Sequence, residues 1–100
     1  MLNIREIKEK VIPVLKKHKI RRAGLFGSYA KEDAKEESDI DILIELPTNY
    51  SLLDFVGIKL ELEDILGKNV DLVEYLALKP ALKTTILNEE VIIYDRKALA

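Results

Sequence analysis

The 100-residue sequence contains no cysteine, no tryptophan and a single histidine, His18. Without cysteine the chain can form no disulfide, no thiolate nucleophile and no cysteine-ligated zinc site. A single histidine also excludes a histidine-rich metal cluster and any catalytic arrangement that uses several histidines. Any chemistry therefore has to come from carboxylates, hydroxyls and the cationic side chains.

Long hydrophobic runs and an excess of charge are missing as well. No apolar stretch approaches the roughly 20 residues that cross a bilayer, and the N-terminus lacks a signal-peptide pattern. We therefore expect a cytoplasmic protein that has no membrane partner. The formal net charge of −2 gives no global basic field to recruit nucleic acid, so no direct DNA binding is expected. Hydrophobic residues at 48% and charged residues at 34% are typical of one small folded domain, here residues 1–100.

The spacing of apolar residues predicts alternating helices and strands. The predicted order begins with a helix at 3–17 capped by Asn3, a strand at 20–26, a short helix at 29–35 and a strand opened by Ser38 and ended by Pro47. A helix from Ser51 to Gly67, a strand at 69–74, a helix opened by Pro80 and an edge strand at 91–94 complete it. This order predicts a small sheet covered by helices.

Two finer predictions concern the first and last helices. Pro13 lies inside the first helical pattern, and proline either kinks a helix or ends its regular part early. In the last helix, Leu82, Ile86 and Leu87 recur at helical spacing. They predict one buried side for that helix.

Two aspartates interrupt a strand that is otherwise apolar. Asp39 and Asp41 alternate with isoleucines across residues 39–44, so their carboxylates point to the same face, roughly 7 Å apart. Asp71 interrupts the next strand in the same way, and adjacent strands would bring the three carboxylates together. Such a set suits Mg²⁺, which shares its ligand shell with substrate phosphates, and it can hold two metal ions. The alternative is three solvent-facing residues at a sheet edge.

Gly27 and Ser28 end the first strand and open a helix. Glycine permits positive φ or a close backbone approach, and a hydroxyl with exposed amides can hold a phosphate. A Gly-Ser pair alone is usually a plain turn, so its specificity comes from the fixed distance to the aspartates. Ser38, immediately before Asp39, either opens the strand or contacts a phosphate or a metal-bound water.

The motif Gly27-Ser28, ten residues, then Asp39-Ile40-Asp41 resembles the G-S-x10-D-x-D signature of minimal nucleotidyltransferases in the DNA polymerase β-like superfamily. Asp71 is similar to that family's third metal-binding carboxylate. The resemblance implies an α+β class, a two-layer α/β nucleotidyltransferase fold with a mixed sheet of three to four strands flanked by helices. It also implies Mg²⁺-dependent transfer of a nucleoside monophosphate from a nucleoside triphosphate, with loss of pyrophosphate.

Stand-alone family members of about this size are similar to MntA-type antitoxins. The resemblance implies that the chain transfers AMP from ATP to a tyrosine hydroxyl of a HEPN-domain toxin RNase. It also implies either a homo-oligomer or a hetero-oligomer with the toxin. It implies catalytic and metal-binding roles, with two Mg²⁺ ions, for Asp39, Asp41 and Asp71, and nucleotide-binding roles for Gly27, Ser28, Lys31 and Ser38. Many relatives have Arg-Gly where this chain has Lys31-Glu32. Lysine keeps the charge but loses the two-pronged guanidinium, and the missing glycine restricts the turn.

Two other functions remain open. The first is a non-catalytic binding module that neutralises its partner by occlusion, for which the apolar helix face around Phe55 and Val56 leaves room. The second is nucleotidyl transfer to an RNA end or to a small antibiotic-like molecule. RNA is disfavoured because the chain lacks a basic surplus, and antibiotic transfer usually needs an additional substrate domain.

Overall fold

A four-stranded sheet with helices on both faces makes up the computed structural model, which describes residues 2–99. The elements are α1 (Ile4–Lys17), β1 (Arg22–Phe26), α2 (Gly27–Ala30), β2 (Ile40–Glu45), α3 (Leu52–Leu66), β3 (Val70–Glu74), α4 (Pro80–Glu89) and β4 (Val91–Asp95). Short 3₁₀ helices at Tyr75–Ala77 and Arg96–Leu99 follow β3 and β4. The predicted order of helices and strands and the α+β class are confirmed.

The sheet is mixed, with strand order β3-β2-β1-β4. β1 is antiparallel to both β2 and β4, whereas β2 and β3 are parallel. Parallel neighbours need a long crossover connection, and α3 supplies it. The predicted edge position of the last strand is confirmed, and β3 forms the opposite edge.

One face of the sheet forms the core with α1 and α3. Leu25 of β1 is paired with Ile42 of β2, and Ala23 with Ile44, so these four side chains share that face. The fully buried aliphatic residues include Ile7, Leu15, Ile20, Leu25, Ile40, Ile42, Ile44, Ile58 and Leu62. Burying one such side chain stabilises the fold by about 1.5–3 kcal/mol. The core therefore fixes which strand face is turned away from the two long helices.

The opposite face carries polar residues beside apolar ones. Its cross-strand pairs are Phe26 with Asp41, Gly24 with Leu43, and Arg22 with Glu45. α2 packs against β1 and β2, the Tyr75–Ala77 turn contacts β2, and α4 contacts β1 and α2. This face is therefore only partly covered, and it is where functional side chains can reach a ligand.

The ends of the two long helices are capped as predicted. Asn3 and Glu6 form a reciprocal capping box at α1, and Ser51 and Asp54 form one at α3. Gly67 ends α3 in the left-handed conformation, with φ +67°, where glycine avoids the Cβ clash. Among residues 2–99, no helix is both long and apolar enough to cross a membrane.

The helix predicted at 3–17 is confirmed, and α1 continues through Pro13 to Lys17 without ending early. Two other predictions about helices are wrong in detail. The short helix predicted at 29–35 lies instead at Gly27–Ala30. Leu82, predicted to be buried, is 55% exposed, and none of the ten residues of α4 is buried, because the sheet face beneath α4 is polar.

The predicted strands also begin one or two residues too early. β1 starts at Arg22, β2 at Ile40 and β3 at Val70. Ser38 therefore does not open β2, and Asp39 precedes the strand. Local apolar patterns extend past the last ladder hydrogen bond, so they do not define where pairing stops.

Candidate active site

Two neighbouring parallel strands bring two aspartates side by side. The register of β2 and β3 pairs Asp41 with Asp71, and both lie on the sheet face turned away from α1 and α3. Burial of Asp41, then the charges of Asp71 and Asp39, raise the pKa of Asp41 from 3.8 to about 6. A hydrogen bond to Asp71 is a further cause of the raised pKa, because it favours the protonated form of Asp41.

Asp39 lies just before β2, and its side chain is exposed. It acts on Asp41 through charge. Within residues 2–99 the side chains as they stand form no group of three or more histidine, aspartate or glutamate residues that could hold a metal ion. Rotation of the exposed Asp39 side chain towards Asp41 and Asp71 would complete a three-carboxylate set. Its oxygen donors fit Mg²⁺, and a cation between Asp41 and Asp71 would neutralise the charges that raise the pKa of Asp41.

The turn after β1 runs directly beneath the Asp41 carboxylate. Because Phe26 is paired with Asp41, the next residue, Gly27, is brought against that side chain. Gly27 has φ +67°, and a Cβ at this position would overlap Asp41 Oδ2. Both the backbone conformation and the close approach therefore require glycine. Ser28 follows in α2 and is half-buried.

Lys31 lies at the end of α2, and its partner was not predicted. Lys31 Nζ is 3.4 Å from Glu89 Oε2 at the end of α4. The two side chains are 51% and 40% exposed, so the ion pair is weak. The only sequence signal for this pair is the acidic end of the last helix.

Ser38 belongs to the loop that precedes β2. Its Oγ accepts a hydrogen bond from the backbone N–H of Lys35 at 2.9 Å, which orders the approach to Asp39. Ser38 and Asp39 also line an open cavity of about 460 Å³ together with Glu63. Ser38 is therefore a loop residue at the margin of the aspartate cluster.

A polar cluster on the same sheet face was also missed by the sequence reasoning. The Glu90 side chain is only 2% exposed. It accepts hydrogen bonds from the Tyr75 hydroxyl and from the Arg22 guanidinium at 3.1 Å. The guanidinium also lies over the Tyr75 ring, 4.9 Å from its centroid. Burial, together with the Glu90 carboxylate, raises the pKa of Tyr75.

The cluster ties α4 and β4 to the centre of the sheet. A Cβ at position 24 would overlap Glu90 Oε2, so Gly24 leaves the space that the Glu90 carboxylate occupies. An arginine inside a predicted apolar strand is a visible signal in the sequence. Its partners, however, lie 53 and 68 positions further along the chain, so the sequence alone does not identify them.

The profile of the family described as "Polymerase beta, Nucleotidyltransferase" matches residues 9–99. The chain belongs to this nucleotidyltransferase family. The resemblance inferred from the Gly-Ser turn and the aspartates is thus confirmed at the level of family, of fold and of enzyme class.

Relatives of this nucleotidyltransferase are archaeal proteins of nearly the same length. One from Methanocaldococcus jannaschii, provisionally named a protein adenylyltransferase, is 56% identical over 90 residues, covering 90% of this chain and 97% of the relative. Protein adenylyltransferase MntA from Thermococcus cleftensis is 40% identical over 98 residues, covering 93% of this chain and 98% of its own.

Solved structures share the fold of this nucleotidyltransferase. A provisionally named minimal nucleotidyltransferase superposes with a TM-score of 0.78 at 36% identity, covering 88% of this chain and 90% of the other. The MNT antitoxin complex of a tri-AMPylated HEPN toxin from Shewanella oneidensis gives a TM-score of 0.71 at 21% identity, covering 94% and 74%. The predicted mixed sheet of three to four strands flanked by helices is confirmed.

Proposed function

We propose that this chain is a Mg²⁺-dependent protein adenylyltransferase acting as an antitoxin in the cytoplasm. It transfers AMP from ATP to a tyrosine hydroxyl of a HEPN-domain toxin and thereby silences that toxin. The observation that carries the proposal is the pairing of Asp41 with Asp71 beside the Gly27 turn. Two carboxylates pressed together at a partly covered sheet face are unfavourable unless a cation neutralises them.

The roles of the site residues follow from their positions. Asp39, Asp41 and Asp71 would hold Mg²⁺, two ions in the complete site, which supplies charge neutralisation for the triphosphate. The Gly27 backbone and the Ser28 hydroxyl bind the β- and γ-phosphates. Lys31 leaves Glu89 to join them, and Ser38 orders the loop that presents Asp39.

Asp71 takes the proton from the acceptor hydroxyl. The acceptor oxygen then forms its bond to the α-phosphorus while the bond from that phosphorus to the pyrophosphate leaving group breaks. Asp71 suits this role because β3 is an edge strand, so its side chain can be reached from outside the sheet. The other two aspartates are flanked by the Gly27 turn and the loop before β2.

The acceptor is the part of the proposal that the relatives support. One relative at 40% identity is named a protein adenylyltransferase, and one fold neighbour is an MNT antitoxin bound to an AMPylated HEPN toxin. A protein acceptor therefore fits better than an antibiotic.

The direct test incubates the purified chain with Mg²⁺, ATP labelled on the α-phosphate and a HEPN-domain protein from the same organism. We expect label on one or more tyrosines of that protein. Asp41→Asn should reduce the labelling rate at least 100-fold, the scale of losing one electrostatic group at a reacting centre. Asp64→Asn, a change of the same chemistry on the exposed side of α3, should label like the wild type.

The same assay separates enzyme from binding module. Equal labelling by the wild type and by Asp41→Asn would remove the proposed mechanism. If neither labels the toxin, yet both silence its RNase activity equally, the chain neutralises by occlusion. Omitting Mg²⁺ and adding a chelator should reduce labelling to the background of the Asp41→Asn variant.

A further inference from the structure

Large apolar side chains are exposed at one corner of the molecule, around the start of α3 and the turn after β3. We define the α3 apolar surface as Leu52, Leu53, Val56, Leu60 and Leu76, which are 76%, 83%, 41%, 57% and 96% exposed. Two cavities of about 360 and 500 Å³ adjoin it and share Tyr50 as a wall. Leu52 borders the first cavity and Leu76 the second, so the two cavities connect the start of α3 with the turn after β3.

The exposed residues of α3 have no role in the chain's own core. Residues 52, 56 and 60 follow each other at four-residue spacing and form a stripe along the helix. The helix is anchored by a different stripe, in which Ile58, Leu62 and Leu66 are buried. α3 therefore has a second apolar side, which faces outward.

The size of the surface matches a protein partner. Its exposed apolar area is on the order of 700 Å², more than the largest patch on most monomers. It is close to the roughly 800 Å² that each protein contributes to a standard interface. Tyr50 and Phe55 line the adjoining 360 Å³ cavity and offer an aromatic pocket for an anchoring side chain, as interface hot spots do.

The surface reaches the sheet edge that carries Asp71, although α3 and Asp71 lie on opposite faces of the sheet. Leu72, Val73 and Glu74 of the edge strand β3 line the 360 Å³ cavity. Val73 and Asp71 lie on the same side of that strand, roughly 7 Å apart. A protein that is anchored in the cavity and extends past the β3 edge therefore approaches the Asp71 carboxylate.

We infer that the α3 apolar surface docks the acceptor protein, a folded partner that presents an apolar helix face and places its tyrosine hydroxyl at Asp71. The inference rests on the proposed function and adds to it the site of acceptor recognition. A second copy of this chain is a poorer occupant, because it would lie beside β3 and obstruct the approach to Asp71. A larger partner with a projecting tyrosine side chain can cover the same surface and still reach the site.

The test uses the double variant Leu53→Glu/Leu76→Glu. Both residues are more than four-fifths exposed, and Leu53 lies in the first turn of α3, where a carboxylate favours the helix dipole. The matched control is Leu82→Glu/Ile92→Glu, which introduces the same charges at residues that are 55% and 43% exposed on α4 and β4. Binding of the HEPN-domain protein used in the labelling assay is measured by titration calorimetry, and its labelling is measured with ATP at saturation.

The surface variant should raise the dissociation constant for the HEPN-domain protein at least 100-fold and lower labelling at sub-saturating partner by a similar factor. The dissociation constant for a non-hydrolysable ATP analogue should stay within threefold. The control should match the wild type in every measurement. Equal partner binding by the surface variant and the wild type overturns the inference, as does a wild type that binds no partner.

Two further outcomes separate the inference from the proposed function. Partner binding that is sensitive to the surface variant, without any labelling by the wild type, supports the docking surface and removes the transfer reaction. Light scattering of the chain alone addresses self-association. A wild-type dimer that the surface variant splits, with partner binding unchanged, assigns the surface to a second copy and overturns the inference.

Discussion

Three neighbours act on the carboxyl group of Asp41. Asp71 lies beside it in the next strand, Gly27 lies beneath it, and Asp39 adds charge from two positions earlier. In the proposed site each neighbour has a different part: Asp71 shares the metal, Gly27 leaves space for the carboxylate, and Asp39 completes the set of oxygen donors. Without a cation beside it, the ionised form of Asp41 is destabilised by burial and by the negative charges of Asp71 and Asp39.

Stability without metal should depend on pH through Asp41. Its pKa in the folded chain is about 6 against an ordinary 3.8, so the folded state binds the proton more tightly. The contribution of Asp41 to stability is then greatest below about pH 4 and is lost as pH rises through the window from 3.8 to 6. After allowance for solvent screening at this half-exposed group, we expect a loss of about 1 kcal/mol.

Asp41→Asn should remove that pH dependence and unfold at a higher temperature than the wild type at pH 7 in chelator. Urea denaturation at pH 4 and pH 7 measures it, with Asp64→Asn as the control that keeps the wild-type profile. The activity lost by Asp41→Asn then cannot be ascribed to unfolding. If the stability difference between pH 4 and pH 7 is the same in the wild type as in Asp41→Asn, the raised pKa of Asp41 is contradicted.

Alanine substitutions at Gly27 and Gly67 distinguish the cost of backbone strain from the cost of steric overlap. Both have φ +67°, but a Cβ at Gly27 meets Asp41 whereas a Cβ at Gly67 meets no atom within 4 Å. Gly67→Ala should cost about 1 kcal/mol of unfolding free energy, from the left-handed conformation alone. Gly27→Ala should cost about 1–3 kcal/mol more, because the inserted methyl group displaces the carboxylate.

The two alanine variants should differ even more in activity. Gly67→Ala should label the acceptor at the wild-type rate, while Gly27→Ala should be at least 100-fold slower, since a small misplacement of Asp41 disrupts the reacting geometry. Denaturation curves and initial labelling rates measure the two effects. Equal losses of stability and activity in both variants would show that the overlap with Asp41 is unimportant.

At the scale of elements, α2 is followed by a glutamate in the left-handed conformation, which is unfavourable for any residue with a Cβ. Glu32 lies just past the helix with φ +59°. Its N–H donates to the Tyr29 carbonyl, and the Asp33 N–H donates to the Ser28 carbonyl. This is the Schellman pattern, in which glycine is usual at the left-handed position. The restriction of the turn that was expected from Lys31-Glu32 therefore lies at the φ angle of Glu32.

Glu32→Gly should stabilise the chain by up to about 1 kcal/mol, because glycine removes the left-handed penalty and loses only part of the gain to unfolded-state entropy. Glu36→Gly is the matched control. Glu36 is an exposed glutamate in the following loop and is not among the non-glycine residues with positive φ, so the same change there should destabilise. Urea titration of the two variants decides the sign. A destabilised Glu32→Gly would contradict the strain.

The elements differ in how far local sequence determines them. The two capping boxes and the Gly67 stop are signals of a few adjacent residues, so α1 and α3 were predicted to within one residue at each end. α4 was predicted as a helix from Pro80, but its apolar residues did not reveal which side faces the sheet. That side depends on the contact between Arg22 and Glu90, which are 68 positions apart in the sequence.

At the scale of the whole molecule, the sheet order decides which residues form the site. The sequence predicted the strands that carry the aspartates, because an acidic residue interrupts an aliphatic run in each of them. The pairing of Asp41 with Asp71 joins positions 30 residues apart, and its register depends on α3 as the crossover. Sequence spacing could therefore propose that the carboxylates converge. It could not show that Asp39 stays outside the strand.

Glu90 connects three distant parts of the chain, so its removal should lower the free energy of unfolding of the whole domain. Glu90→Ala leaves the Tyr75 hydroxyl and the half-exposed Arg22 without their acceptor, which we expect to cost about 2–3 kcal/mol of unfolding free energy. Glu90→Gln retains an acceptor oxygen and should lose less than half of that. Denaturation of both variants and of Tyr75→Phe, expected at about 1 kcal/mol, gives the comparison. A loss from Glu90→Ala below that of Tyr75→Phe would contradict a shared acceptor.

Because β3 is the last strand on its side of the sheet, Asp71 has a neighbouring strand on one side only among residues 2–99. Discrimination between acceptors then depends on how a macromolecule fits the exterior, since the described part of the chain provides no enclosing pocket. The same openness admits solvent to the reacting phosphorus. We therefore expect slow hydrolysis of ATP when the enzyme is incubated alone. This hydrolysis should be suppressed once a bound protein covers the edge of the sheet.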